Sequence, residues 1–146
     1  MKTLLVLAAV VAAAAFLAPA AMTERSASRP ALTARSSSFG KVLFDGRGFV
    51  LYAFTRDRGA SRCYGACAKA WPPYLAPRGR LTVGRGVKRA LLGTVKRRSG
   101  RRQVTYAGRP LYYYVGDRRA GQILCQGVFE YGGRWLIVRP SGKLVR

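Results

Sequence analysis

The segment PLYYYVGD at residues 110–117 repeats the phrase VLYAFTRD at residues 50–57. Aligned at an offset of 60, the copies share the pattern G-x-x-L-Y-x-[FY]-x-x-D, and a tryptophan follows each copy. An internal repeat of this kind is typical of a duplicated supersecondary unit. The repeat-motif residues, with the tryptophans, are Tyr52, Phe54, Asp57, Tyr112, Tyr114, Asp117, Trp71 and Trp135.

The order of side chains within each copy predicts β-strands. Tyr52 and Phe54 fall on one side of a strand and Leu51 on the other, and the second copy has the same alternation. Turn residues at 45–46 and at 107–108 separate two strand-like runs in each unit, which is a hairpin signal. The paired aromatic residues suit the core of a small sheet.

Three further elements complete the expected fold. Strands are expected at residues 92–96 and 134–139, and a brief helix fits residues 65–71, where two prolines end it. The chain is therefore predicted to be mainly β: a small single domain of two related β-hairpin repeat units with one short helix. The units are expected at about residues 40–75 and 92–146.

The first residues predict export. Residues 1–20 have a lysine, an apolar run and a final Ala-Pro-Ala, the layout of a cleaved signal peptide. The alternative is an uncleaved N-terminal anchor, because residues 3–22 could just span a bilayer. No cysteine lies near the cut, which argues against a lipid anchor. Residues 21–38 are predicted to be a flexible tether, and residues 39–146 the β-rich domain.

The charge balance is extreme, with 27 Lys and Arg against 5 Asp and Glu, a net charge of +22. Such a chain is attracted to polyanions, and salt weakens that attraction. Outside the membrane we expect anionic envelope polymers or lipid head groups as partners, with nucleic acid bound only non-specifically. No small-molecule substrate or cofactor is predicted. The anion-binding candidates in the basic turns are Lys96, Arg97, Arg98, Arg101, Arg102, Arg118 and Arg119.

The absence of histidine excludes several classes of catalytic site. The chain contains none, which rules out Ser-His-Asp and Cys-His catalysis and histidine-ligated metal sites. Asp57 and Asp117 are expected to accept backbone N–H bonds of turns. The alternative is that the two aspartates converge on a ligand or a substrate. We expect no enzyme.

The motifs resemble a known bacterial group. LYAFTRD and LYYYVGD, with CYGACAKAWPP between them, are similar to the "secreted repeat of unknown function" family, whose members are also described as predicted lipoproteins with a Y-x-[FWY]-x-x-D motif. The resemblance spans residues 40–146 and implies export, frequent lipid anchoring and no established activity. The chain departs from that family in lacking the lipobox cysteine and in having Cys125 where members tend to carry asparagine.

The three cysteines allow two interpretations. In an exported domain, Cys63 and Cys67 are expected to form a disulfide. Cys125 is then a buried free thiol, the source of an intermolecular disulfide, or the true partner of one of the others. The alternative function is a metal-binding or thiol redox protein of the envelope, with Cys63, Cys67 and Cys125 on a soft metal ion or in redox chemistry.

Overall fold

The structure, a computed structural model, describes residues 31–146. The predicted signal peptide and the first part of the predicted tether lie outside the described residues. The elements, in chain order, are β1 (Leu32–Ser37), β2 (Gly40–Asp45), β3 (Tyr52–Phe54), α1 (Ala66–Ala70), a 3-10 turn (Arg89–Leu91), β4 (Leu92–Lys96), β5 (Arg102–Tyr106), β6 (Arg109–Tyr112), β7 (Phe129–Glu130) and β8 (Gly133–Ile137). The predicted mainly β fold with one short helix is confirmed for this part of the chain.

Two antiparallel sheets form the domain. The larger has six strands in the order β4-β5-β6-β3-β8-β7, and β1 pairs with β2 in the smaller. The β5–β6 hairpin turns through Ala107 and Gly108, whose φ angles are 50° and 72°. Positive φ at both central residues is the requirement of a type I′ hairpin turn, and glycine satisfies it at no steric cost.

The predicted tether is wrong over its last residues. Leu32–Ser37 form strand β1, which pairs with β2 from Leu32 opposite Asp45 to Ser37 opposite Gly40. Leu32 is fully buried. The sequence of β1 does not predict a strand, because only one end of β1 packs into the core and its other residues are mostly polar. The strand forms because β2 supplies its hydrogen-bonding partners.

The duplicated phrase forms the centre of the larger sheet. Strand β3 of the first copy pairs with β6 of the second, and Tyr52 stands directly opposite Tyr112. Residues facing each other across an antiparallel pair project from the same side of the sheet. The two copies are therefore adjacent and run in opposite directions, as a local two-fold relation requires.

The alternation predicted for the copies divides the core into two clusters. Tyr52, Phe54 and Tyr112 are buried on one side with both tryptophans, a cluster called here the aromatic core. Leu51 and Leu111 are buried on the other side with Leu32 and further apolar residues, the aliphatic core. Both sides of the central strands are thus covered.

Candidate functional site

The tyrosine of each copy donates a hydrogen bond to the aspartate of the other copy. Tyr52 Oη lies 2.7 Å from Asp117 Oδ2, and Tyr112 Oη lies 2.7 Å from Asp57 Oδ2. Both tyrosines are fully buried, and burial raises the pKa of each hydroxyl, which keeps it protonated and able to donate. These two crossed bonds link the repeats to each other, and each bond joins residues more than fifty positions apart in the sequence.

The second oxygen of each aspartate accepts a backbone N–H from the loop that follows. Asp57 Oδ1 accepts from Arg62 at 2.8 Å, and Asp117 Oδ1 accepts from Leu124 at 2.9 Å. Desolvation raises the pKa of both carboxyls, and the tyrosine and backbone donors oppose that rise. The bonded loops are longer than the tight turns expected from the sequence. Each carboxylate is engaged by two donors of the protein itself.

Two tryptophans pack between the copies. The Trp71 and Trp135 rings stack at 4.0 Å with an interplanar angle of 4°. Phe54 stacks on the tryptophan of the other repeat at 4.2 Å, and Tyr114 packs on Trp71 at 4.7 Å. Large buried aromatic surfaces in offset or stacked contact contribute strongly to the stability of a small core. The tryptophans therefore stabilise the fold.

Glu130 is a polar partner that the sequence did not indicate. Its Oε2 accepts a hydrogen bond from Trp71 Nε1 at 2.9 Å. Asp45 is likewise occupied, because it accepts from Arg47, from the backbone N–H of Phe49 and from Tyr113. Every carboxylate side chain within residues 31–146 thus accepts at least one hydrogen bond from the protein.

The predicted disulfide is present. Cys63 and Cys67 are bonded across the start of α1, with their Cα atoms 5.2 Å apart, and both are buried in the aromatic core. Cys125 is partly buried with a free thiol whose pKa is raised by desolvation. Both alternative pairings of Cys125 and the three-thiolate metal site are wrong, because two of the sulfurs are bonded to each other. Within the described range, no cluster of three potential metal-ligating side chains occurs.

Arg97, predicted to bind anions, instead hydrogen-bonds from inside the protein to residues 61–67, called here the disulfide loop. Its guanidinium is buried and donates to Ser61 Oγ at 2.7 Å, to Gln103 Oε1 at 2.6 Å and to the Cys63 carbonyl at 2.8 Å. These bonds join the loop to strand β5. The sequence-based role of Arg97 as an exposed anion ligand is therefore corrected to a structural one, since its donors are used within the protein.

Neighbouring basic side chains surround an open cavity of about 640 Å³. This basic groove is lined by Arg56, Arg62, Tyr64, Lys96, Arg97 and Arg98. The guanidinium carbons of Arg97 and Arg98 each lie 4.4 Å from the centroid of the Tyr64 ring. Both contacts are cation–π interactions, which fix the aromatic ring between the loop and the β4–β5 turn.

The other predicted anion-binding residues lie outside this groove. Arg102 donates to Thr94 Oγ1 across the β4–β5 hairpin at 2.8 Å, and Arg101, Arg118 and Arg119 are exposed. The groove instead includes Arg56 and Arg62, which sequence analysis did not select. The sequence does contain an indication of Arg56 and Arg62, because basic residues precede the first cysteine in TRDRGASRCYG at residues 55–65.

No helix within residues 31–146 has the length and apolar character needed to cross a membrane. No curated protein and no solved structure matches the chain at a significant level. A family model described as "secreted repeat of unknown function" matches twice, over residues 33–74 and 93–139. Together these matches cover more than half of the chain and correspond to the two copies that meet at β3 and β6. The chain belongs to the family of secreted repeats of unknown function.

Proposed function

We propose that this protein is an exported, non-enzymatic binding module that associates with anionic components of the cell envelope. The observation that carries the proposal is the excess of positive charge without internal compensation. The chain has 27 basic and 5 acidic residues, and the one ion pair within residues 31–146 joins Arg47 and Asp45. Uncompensated charge of one sign raises the local concentration of the opposite charge.

The absence of enzymatic activity is part of the same proposal. It is supported by the lack of histidine and by the hydrogen bonds that occupy the side chains of Asp45, Asp57, Asp117 and Glu130. A carboxylate that acts in acid–base catalysis must reach the substrate's proton. These carboxylates are engaged with tyrosine, tryptophan, arginine and backbone donors instead.

A thiol redox function is less well supported. Residues Cys63 and Cys67 are 0% and 6% exposed, and they are packed among the rings of the aromatic core. Thiol–disulfide exchange requires an attacking thiolate to reach a sulfur atom. Burial of both sulfurs favours a structural disulfide.

Co-sedimentation with vesicles of phosphatidylglycerol or of phosphatidylcholine, and with isolated cell-wall fragments, tests the proposal. Retention on anionic vesicles or walls is expected to fall steeply as NaCl rises from about 0.05 M to about 0.5 M. Retention on phosphatidylcholine is expected to be weak throughout. Equal retention on both vesicle types, retention that ignores salt, or no retention on any of them would contradict the proposal.

A further inference from the structure

The basic groove brings together two segments that are far apart in the chain. Arg56, Arg62 and Tyr64 lie between β3 and α1, whereas Lys96 ends β4 and Arg98 lies in the β4–β5 turn. We propose that this groove binds the phosphodiester backbone of a linear envelope polymer. The inference rests on the proposed function and names the site and the chemistry of its ligand.

The four exposed cations of the groove are not neutralised within the described structure. Arg56, Arg62, Lys96 and Arg98 are exposed, and none of them forms an ion pair with a carboxylate in residues 31–146. The nearby carboxylate of Asp57 is engaged by the Tyr112 hydroxyl and by the backbone N–H of Arg62. The groove therefore presents positive charge to a ligand.

The walls of the groove are held in place before any ligand arrives. The Cys63–Cys67 disulfide closes the loop, and buried Arg97 bonds that loop to β5. Arg98 is positioned over the Tyr64 ring, and Arg56 Nη1 donates to the Tyr131 carbonyl at 2.9 Å. Side chains that are already ordered lose less conformational entropy on binding, which favours affinity.

The shape and chemistry of the groove favour a phosphodiester chain over other anions. Its concave form admits a flexible chain, whereas a bilayer presents lipid head groups on a broad surface. Sugar-ring recognition is disfavoured because two guanidinium groups lie against Tyr64, and the nearby Asp57 oxygens are already engaged. Guanidinium groups bind the paired oxygens of a phosphate in a bidentate fork. Successive phosphates of one chain can then meet successive cations of the groove.

The test compares two triple variants, each of which replaces two arginines and one lysine with glutamine. The groove variant is Arg62→Gln, Lys96→Gln, Arg98→Gln, and the control is Arg118→Gln, Arg119→Gln, Lys143→Gln, which changes exposed residues outside the groove. Binding of fluorescently labelled poly(glycerol phosphate) is followed by anisotropy across a salt series. Poly-glutamate of equal charge and phosphatidylglycerol vesicles are the comparison ligands. Circular dichroism and the thermal midpoint establish that both variants are folded.

We expect the groove variant to bind poly(glycerol phosphate) about tenfold or more weakly at low salt. The slope of the logarithm of the binding constant against the logarithm of the salt concentration should become shallower by about 2, at roughly 0.7 for each of the three lost phosphate contacts. The control should lose less than about threefold, because its changed residues affect the ligand only through the long-range field. We also expect the unchanged protein to bind the phosphodiester chain more tightly than poly-glutamate or the vesicles.

The contrary outcomes separate the two proposals. Equal losses in both variants, or equal affinity for poly-glutamate, would overturn the groove assignment while leaving a general attraction to envelope polyanions. Tighter binding to vesicles than to the soluble polymer would mean that the partner is a membrane surface and not a phosphodiester chain. Failure of the unchanged protein to bind any of the three anionic ligands would overturn the proposed function itself.

Discussion

One carboxylate in each repeat, buried at Asp117 and partly buried at Asp57, accepts a hydrogen bond from a hydroxyl of the other repeat. Asp117 is 7% exposed, and its Oδ2 accepts from Tyr52. A buried polar group that loses its hydrogen-bond partner is costly because water cannot replace that partner. This explains at the level of single residues why a tyrosine and an aspartate recur together in the repeated phrase.

Removal of the Tyr52 hydroxyl tests this explanation. We expect Tyr52→Phe to lower the free energy of unfolding by about 2 kcal/mol, since the lost hydrogen bond has a charged acceptor. Tyr112→Phe should have a similar effect through Asp57 and the Ser61 hydroxyl, which both lie 2.7 Å from the Tyr112 hydroxyl. Tyr131→Phe, at an exposed tyrosine, is the control and should change stability by less than about 0.5 kcal/mol. Urea denaturation measures all three. A cost for Tyr52→Phe no larger than the control would contradict the structural role of the crossed bond.

The buried tyrosines also predict instability at alkaline pH. Burial raises the pKa values of Tyr52, Tyr112 and Tyr113 above the ordinary 10.0, and that of Tyr74 to about 12. Their contribution to stability is complete below pH 10 and is lost as pH rises from there, because only the unfolded chain then releases these protons. Above pH 10, each of these tyrosines makes the free energy of unfolding fall by about 1.4 kcal/mol more per pH unit.

Urea denaturation between about pH 9 and pH 12 measures this slope. A Cys125→Ser background prevents the free thiol from exchanging with the disulfide. Adding Tyr52→Phe should make the decline shallower by about 1.4 kcal/mol per pH unit in the part of the range above pH 10, where only the unfolded chain releases the Tyr52 proton. An unchanged slope would show that Tyr52 titrates alike in the folded and unfolded chains.

Adjacent arginines have different roles, which a charge-preserving substitution can separate. Arg97 is buried with three donor bonds, whereas Arg98 is exposed on the Tyr64 ring. We expect Arg97→Lys to cost about 2 kcal/mol or more, because an ammonium group cannot reproduce the planar fork of donors. Arg98→Lys should cost less than about 1 kcal/mol, the size of an exposed cation–π contact. Thermal and urea unfolding measure both, and equal costs would be inconsistent with the buried role of Arg97.

Strand β1 shows that an element can form where its own sequence does not call for one. Its residues LTARSS lack an apolar period, and the predicted tether included them. The strand forms because β2 offers free backbone partners and Leu32 enters the aliphatic core. Pairing along six residues then orders the remaining polar positions.

Leu32→Ala measures how much the packing of β1 against the aliphatic core contributes to the stability of the domain. We expect it to lower the free energy of unfolding by about 3 kcal/mol, the usual loss when a fully buried leucine is truncated. Ser36→Ala, at an exposed position of the same strand, should change it by less than about 0.5 kcal/mol. If Leu32→Ala were as mild as Ser36→Ala, residues 32–37 would behave as the tether first predicted.

At the scale of the whole molecule, uncompensated charge opposes the fold. The net charge is +22, and the described part of the chain holds a single ion pair. Like charges repel more strongly in the compact state than in the extended one. Added salt should therefore stabilise this protein, in contrast to proteins whose surfaces are rich in ion pairs.

Calorimetry across a NaCl series checks this expectation. The thermal midpoint is expected to rise with salt, with most of the rise complete by about 0.15 M, where the screening length is about 8 Å. The triple groove variant should show a smaller rise, because it carries three fewer positive charges. A midpoint that falls with added NaCl would mean that attractive ion pairs outweigh the repulsion.

The sequence by itself determined the features that depend on neighbouring residues. Alternation in the repeated phrase predicted strands and the two sides of the core, and the turn at 107–108 predicted the β5–β6 hairpin. The C-x-x-x-C pair in a domain expected to be exported predicted the disulfide. Period, turn conformation and short loops are local properties, so they can be read along the chain.

Only the tertiary structure decided which distant residues meet. The Tyr52–Asp117 and Tyr112–Asp57 bonds span 65 and 55 residues, and they cross between repeats because β3 and β6 pair antiparallel. The same packing buries Arg97, leaves Arg98 exposed and brings Arg56 and Arg62 to the groove. Adjacent arginines look alike in a sequence. Their environments differ because burial and hydrogen-bond partners depend on segments that only the folded sheet brings together.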